Sequence, residues 1–395
     1  MRSSHDGARC SFPEGARALV GDAPARLRLR HGPVAIDVLS HDASSLVWLA
    51  EFLGPSFAQR ASGRPDHRVF FGVAPTLYAE LAGRLREARG RPLDGFGFDG
   101  RFSRHTSLRD ASGRTWVRDP YSAVLHGVDA PAREVLVAAR REGDRPRVAL
   151  MRAVRELAVS ALLRAGRLPV HGAAFADRGG AVLICGPKRS GKTSLLVHAL
   201  ACGGAFLSND RVFVDVTRAA TATPMPTIVM LRNGTLSHFP RLLVDFERAH
   251  YDRARTLREC GPGVARPEPR ARRGFDRPGI SPAQLCALLG APVRASAPVR
   301  AIVFPRIDPR TRGLELRALP TPAARSRLGR SLMKPSHPTR LSALFSPGRR
   351  RETLPARVER EACGRLAGRV PAFECRLGAD AYRGDLLAEL RTLLD

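Results

Sequence analysis

Lysine is almost absent. The 395-residue chain carries only Lys188, Lys192 and Lys334, and every other one of its 65 basic residues is arginine. Acidic residues are also scarce, 37 against those 65, which leaves a formal net charge of +28. Such a balance is compatible with an acidic partner, but no recognisable nucleic-acid module accompanies it, so nucleic acid is not the expected ligand. The seven cysteines, Cys10, Cys185, Cys202, Cys260, Cys286, Cys363 and Cys375, form no CxxC pair. Their odd number and wide spacing argue against a disulfide framework and a zinc site, and fit thiols in a reducing compartment. The first twenty residues hold no apolar core of a signal peptide. No apolar run approaches the ~18 residues of a membrane span. The expectation is a cytoplasmic protein with no membrane contact.

Aromatic residues make up only 6% of the chain, but the hydrophobic fraction of 44% is enough for a sizeable core. Residues 1–145 read as a separate α+β domain of unknown role. "GPVAIDVL", "HRVFFGV" and "EVLVAARRE" have strand character, and "APTLYAELAGRLREA" places Leu77, Leu81 and Leu85 on one helical face. Residues 147–166 predict an amphipathic helix, with Met151, Val154, Leu157, Ala158, Ala161 and Leu162 as its stripe, acting as a hinge into a second domain, 146–395. There, "LPVHGAAFA" and "GAVLICG" read as strands joined by a "DRGG" turn, and "TSLLVHALAC" as a helix, then "AFLS" and "RVFVDV" as strands. The segments 258–298 and 320–356 read as basic loops or insertions. "VRAIVFPRI" and "LELRAL" read as a returning strand pair, and the tail as a strand, "VPAFECRL", with a closing helix.

Two of the three lysines fall inside one Gly-rich turn, Gly186-Pro187-Lys188-Arg189-Ser190-Gly191-Lys192-Thr193, followed by Ser194. This satisfies G-x-x-x-x-G-K-[ST] between a strand and a helix, the setting of a phosphate-binding loop. The two glycines permit backbone angles that turn successive N–H groups toward an anion, and the helix that follows points its positive end the same way. Lys192 supplies a compact charge to the β- and γ-phosphates, a task for which a wide planar guanidinium is unsuited. Thr193 offers a hydroxyl to Mg²⁺. Lys188 is either a contact to phosphate or substrate, or a solvated side chain. ATP and Mg²⁺ are the expected ligands, with residues 186–194 as the binding segment.

Around this loop, residues 170–216 resemble the HPr kinase/phosphorylase family, serine kinases whose core is related to phosphoenolpyruvate carboxykinase. The His171-Gly172 pair lies on the strand before the loop, 21 residues before Lys192, and Asn209-Asp210 follows the next strand, with Asp210 18 residues after Lys192. The family has an acidic pair at the latter place. The resemblance does not extend to residues 1–145. It implies an α/β core with a mixed sheet, Asp210 as the base that deprotonates an acceptor hydroxyl and a residue near Mg²⁺, and His171 as its companion. Asp215 and Asp245 compete with Asp210 for the acidic role. Asn209 replaces the first acid of the pair and carries no charge for a cation.

The expected activity is phosphoryl transfer from ATP to a hydroxyl, a serine of a small protein or peptide. Residues 251–350, with 21 basic and 6 acidic residues, could hold an acidic acceptor. A small-molecule kinase on the same core and a nucleotide-driven ATPase or switch are the alternatives. Homo-oligomer formation is left open.

Overall fold

The computed structural model describes residues 12–59, 62–88, 91–96, 102–239, 242, 279–333 and 355–394. The chain is mixed α/β and contains two large mixed sheets. Strands β1 (Ala25–His31), β2 (Val34–Ser40), β3 (Ala58–Gln59), β4 (His67–Val73), β5 (Arg91–Phe96), β6 (Phe102–Arg109), β7 (Thr115–Asp119), β8 (Val124–Asp129) and β9 (Glu134–Ala139) form the first. Their order is β3-β1-β2-β4-β9-β8-β7-β6-β5, with β2–β4 and β4–β9 parallel. The strands read from "GPVAIDVL", "HRVFFGV" and "EVLVAARRE" are β2, β4 and β9. Helices α1 (Phe12–Val20) and α3 (Pro75–Glu87) cover one face. Leu77, Leu81 and Leu85 of α3 are all buried there, as their spacing requires. On the other face lie α2 (Ala43–Leu53) and α4 (Asp144–Arg164).

Helix α4 departs from the expected single stripe. The six stripe residues are buried, but so are Val148, Leu150, Val159 and Arg155 on other sides of the helix. The cause is a shared core, in which α4 meets Val38, Phe71 and Val137 of the first sheet and also Phe213 and Met225 of the second.

The second sheet comprises β10 (Leu168–Asp177), β11 (Gly180–Cys185), β12 (Ala205–Ser208), β13 (Arg211–Asp215) and β14 (Thr221–Met225), with β17 (Ala297–Ile307), β18 (Leu314–Ala318) and β19 (Ala372–Leu377). A separate short pair, β15 (Val229–Met230) and β16 (Gly279–Ile280), lies outside it. Two long strands change partners midway. In β10, Leu168–His171 pairs with β13, and Gly172–Asp177 pairs with β11. In β17, Ala297 and Pro298 pair with β14, and the following residues pair with β11. One face of this sheet packs on α5 (Lys192–Ala201) and the helices Pro282–Leu289 and Leu386–Leu394. The other packs on the helices Thr321–Arg330 and Ala356–Arg369.

Three expectations need correction. The strands of "VRAIVFPRI" and "LELRAL" are not a pair, because β19 lies between them, parallel to β17 and antiparallel to β18. A parallel neighbour must return by a long crossover, and the helices Thr321–Arg330 and Ala356–Arg369 stand between the two strands in the chain. The span 258–298 is not loop throughout. Ser281 and Gln284 form a reciprocal capping box at the start of Pro282–Leu289, and Gly290 closes that helix in the left-handed region. The span 320–356 likewise contains the helix Thr321–Arg330, with a proline in its first turn. Residues 258–278, with "RARRGFDR", and 334–354, with Lys334, lie outside the described residues. Among the described residues no helix is long and apolar enough to cross a membrane.

Candidate nucleotide-binding site

The loop 186–191 leaves the buried end of β11 and enters α5 at Lys192. Its glycines are dictated by geometry. Gly186 has φ +149° and Gly191 φ +100°, values that L residues rarely adopt. A Cβ on Gly191 would also stand 2.8 Å from Leu377 Cδ1. Arg189 takes φ +70° between them, in the left-handed region without a glycine's freedom. Pro187, Lys188 and Arg189 are exposed at the tip, whereas Ser190 is buried. The Ser190 Oγ has no hydrogen-bond partner among the described residues.

The Lys192 ammonium folds back over the loop and donates to the carbonyls of Gly186 (2.7 Å) and Pro187 (2.8 Å). Burial lowers its pKa, and the nearby Asp210 carboxylate opposes that shift. Thr193 is half-buried at the start of α5. Ser194 differs, since its hydroxyl lies 2.8 Å from Thr235 Oγ1.

His171 sits at the residue where β10 changes partners. Its Nδ1 is 3.3 Å from Asp210 Oδ1, and both side chains are partly exposed. The backbone fixes this pairing. The N–H of Gly172 donates to the Asp210 carbonyl at 3.0 Å, and the N–H of His171 donates to the Ser331 carbonyl at 2.8 Å. Gly172 has its own reason to be glycine. A Cβ there would meet the Ile184 carbonyl oxygen of β11 at 2.7 Å, so any side chain would force the two strands apart.

Asp210 lies in the turn between β12 and β13. Asn209 beside it donates from Nδ2 to the Ile228 carbonyl at 3.2 Å, but its Oδ1 is buried without a partner among the described residues. Arg211 Nε is 3.8 Å from Asp210 Oδ2, and its NH1 is 3.4 Å from Glu156. Glu156 also pairs with Arg155 at 3.1 Å. Burial alone would raise the Glu156 pKa, but the two arginines together hold it below the usual carboxylate range.

Of the competing carboxylates, Asp215 stands at the opposite end of β13 and is paired with Arg167. Asp245 lies outside the described residues. The structure therefore brings together Lys192, Asp210 and His171, with Thr193 on the first turn of α5.

Among the described residues no cluster of three or more His, Cys, Asp or Glu side chains could hold a metal ion by itself. The donors present suit Mg²⁺ differently. The oxygen donors at hand are the Asp210 carboxylate, the Thr193 hydroxyl and the orphaned Asn209 Oδ1, groups of the kind that Mg²⁺ takes together with phosphate oxygens.

In the sequence the basic stretch 251–350 looks like one surface. The structure selects a few of its residues. Arg306 at the end of β17, and Arg327 and Arg330 on the helix Thr321–Arg330, line a cavity of about 550 Å³ with Gly186–Ser190. Only the position of Arg306 at the C-terminal end of a strand parallel to β11 could have signalled this. No family model matches the chain, and no curated protein is significantly similar to it.

Proposed function

We propose that the protein is an ATP- and Mg²⁺-dependent phosphotransferase that moves the γ-phosphoryl group to a hydroxyl, a serine of a peptide or small protein. The observation that carries this reading is the meeting of Asp210 with His171 beside the loop that bears Lys192. The loop's N–H groups and the positive end of α5 would hold the phosphates. Lys192 would exchange its two carbonyl partners for phosphate oxygens, and in doing so regain a fully favourable charged state. Mg²⁺, held between Thr193, Asp210 and the phosphates, would neutralise charge on the transferred group.

The reaction then balances as follows. The acceptor oxygen bonds to the γ-phosphorus, and the bond from that phosphorus to the bridging oxygen breaks. ADP leaves with the electron pair, and the acceptor proton passes to the Asp210 carboxylate. His171, at hydrogen-bond range of Asp210, orients that carboxylate.

The test is transfer from labelled ATP. Asp210→Asn should lose transfer by about 100-fold or more and still bind nucleotide, whereas Lys192→Ala should lose nucleotide affinity. Undiminished transfer by Asp210→Asn would refute the base assignment. ATP hydrolysis that no acceptor accelerates would favour the nucleotide-driven switch. A small-molecule kinase is the second reading, favoured by the cavity of about 550 Å³, within the size range of small-ligand sites.

A further inference from the structure

The cavity beside the loop has a charge pattern of its own. Lys188, Arg189, Arg306, Arg327 and Arg330 face it with one acid, Glu374. That acid is already neutralised. Arg327 donates to it at 2.5 Å and Arg376 at 3.4 Å, and the Arg327 hydrogen bond holds its carboxyl below the usual range. Arg330 donates to the Ser326 hydroxyl at 2.8 Å and has no ion pair among the described residues. Arg306, exposed at the end of β17, has no ion pair among the described residues. The cavity therefore holds an excess of positive charge that no carboxylate among the described residues balances.

A second observation points the same way. Ser190 lines this cavity, is 8% exposed, and has a hydroxyl with no partner among the described residues. A buried, unmatched hydroxyl costs free energy unless something occupies the space before it.

The cavity also reaches past the loop, toward the face of the sheet opposite α5. The loop runs into α5, which packs on one face of the sheet. Arg327 and Arg330 belong to a helix packed on the opposite face. The Gly-rich turn runs between the two.

We propose that this cavity binds an oxyanion, carboxylate or phosphate, carried by the same molecule that delivers the acceptor hydroxyl. Arg306 and Arg330 supply charge-assisted hydrogen bonds to it, and Ser190 donates one more. The proposal rests on the phosphotransfer reading for the word acceptor, but the binding site itself does not.

Calorimetry separates the two. The protein saturated with Mg-ADP is titrated with a glutamate-flanked serine peptide, with its alanine-flanked counterpart, and with glycerol phosphate. One or both anionic probes should bind, the neutral peptide should not, and the affinity should fall with added salt. The double variant Arg306→Gln/Arg330→Gln should weaken anionic binding at least tenfold while keeping its Mg-ADP affinity, which also shows that it is folded. The single variant Arg306→Gln, on an exposed side chain, should show the same direction. Which probe binds decides between peptide and small-molecule sources. Unchanged affinity in the variants, or no binding of either anionic probe, overturns the proposal. So does a loss of Mg-ADP affinity in the double variant, which would give the cavity to the nucleotide. If the wild type gives no heat with Mg-ADP, the nucleotide reading fails instead, and the same titrations without nucleotide test the cavity.

Discussion

At the residue scale, the glycines around the site are set by contacts that can be tested singly. Gly172 is the clearest, because its neighbour is backbone and cannot swing away: the Ile184 carbonyl oxygen stands 2.7 Å from where a Cβ would be. Gly172→Ala should therefore destabilise the protein by about 1–3 kcal/mol, measured by urea unfolding. It should also reduce phosphoryl transfer in the folded fraction, because His171 and its 3.3 Å approach to Asp210 move with the strand. A variant as stable and as active as the wild type would show that β10 and β11 can part without cost. Much of this was legible in the sequence. The spacing of His171, Lys192 and Asp210 and the Gly-rich turn identify residues that the fold does assemble. The role of Ser194 was not legible, since its turn toward Thr235 depends on a helix, Asn233–Leu236, that no local pattern links to the loop. Nor was the cavity, because Arg306 and Arg330 are far from the loop in sequence and look like any other arginines of an arginine-rich chain.

At the scale of elements, α4 and β13 are joined by charge as well as by packing. Glu156 sits between Arg155, which is 8% exposed, and Arg211, and Arg211 also approaches Asp210. Removing the carboxylate leaves two guanidiniums facing each other in poorly solvated surroundings. Glu156→Gln should accordingly cost about 3–5 kcal/mol in urea unfolding, much more than an exposed pair such as Arg357–Glu361. Equal losses from Glu156→Gln and Glu361→Gln would count against this. Most strands and helices were visible as periodic runs, because burial imposes a period of two or 3.6 on the sequence. Their neighbours were not visible. Adjacent strand-like runs suggest a hairpin, and nothing local to "LELRAL" reveals that β19, more than fifty residues later, inserts beside it.

At the scale of the whole molecule, the two sheets meet through α4 in a common core, so titration in one sheet bears on the stability of the whole. His31 ends β1 with its ring stacked on Phe57 at 4.3 Å and Nδ1 2.7 Å from the Ser56 carbonyl. Burial pushes its pKa down to about 4, against the opposing pull of that hydrogen bond, and burial also brings His67 down to about 4. These rings are neutral in the fold and take up a proton on unfolding at any pH between about 4 and the ordinary value of 6.5. Stability is thus highest above that window and falls as pH drops through it, by up to about 3 kcal/mol for His31 alone. Urea unfolding across the window checks this, and His31→Gln should remove part of the slope. A slope that does not change would assign the acid sensitivity to other groups. The joint between the sheets was the least legible feature of the chain. An amphipathic stripe on 147–166 predicts one buried face, and only the packing of Phe213 and Met225 onto the helix reveals the second.

One contact joins the two proposed ligand regions. Ser331, the residue after Arg330, offers the carbonyl that receives the His171 N–H. An anion that draws Arg330 inward would therefore tug the turn to which His171 is tied. Water brings no such pull. If the protein is the phosphotransferase proposed above, this wiring would keep ATP from leaking away unproductively until a genuine customer arrives, without any lid closing over it.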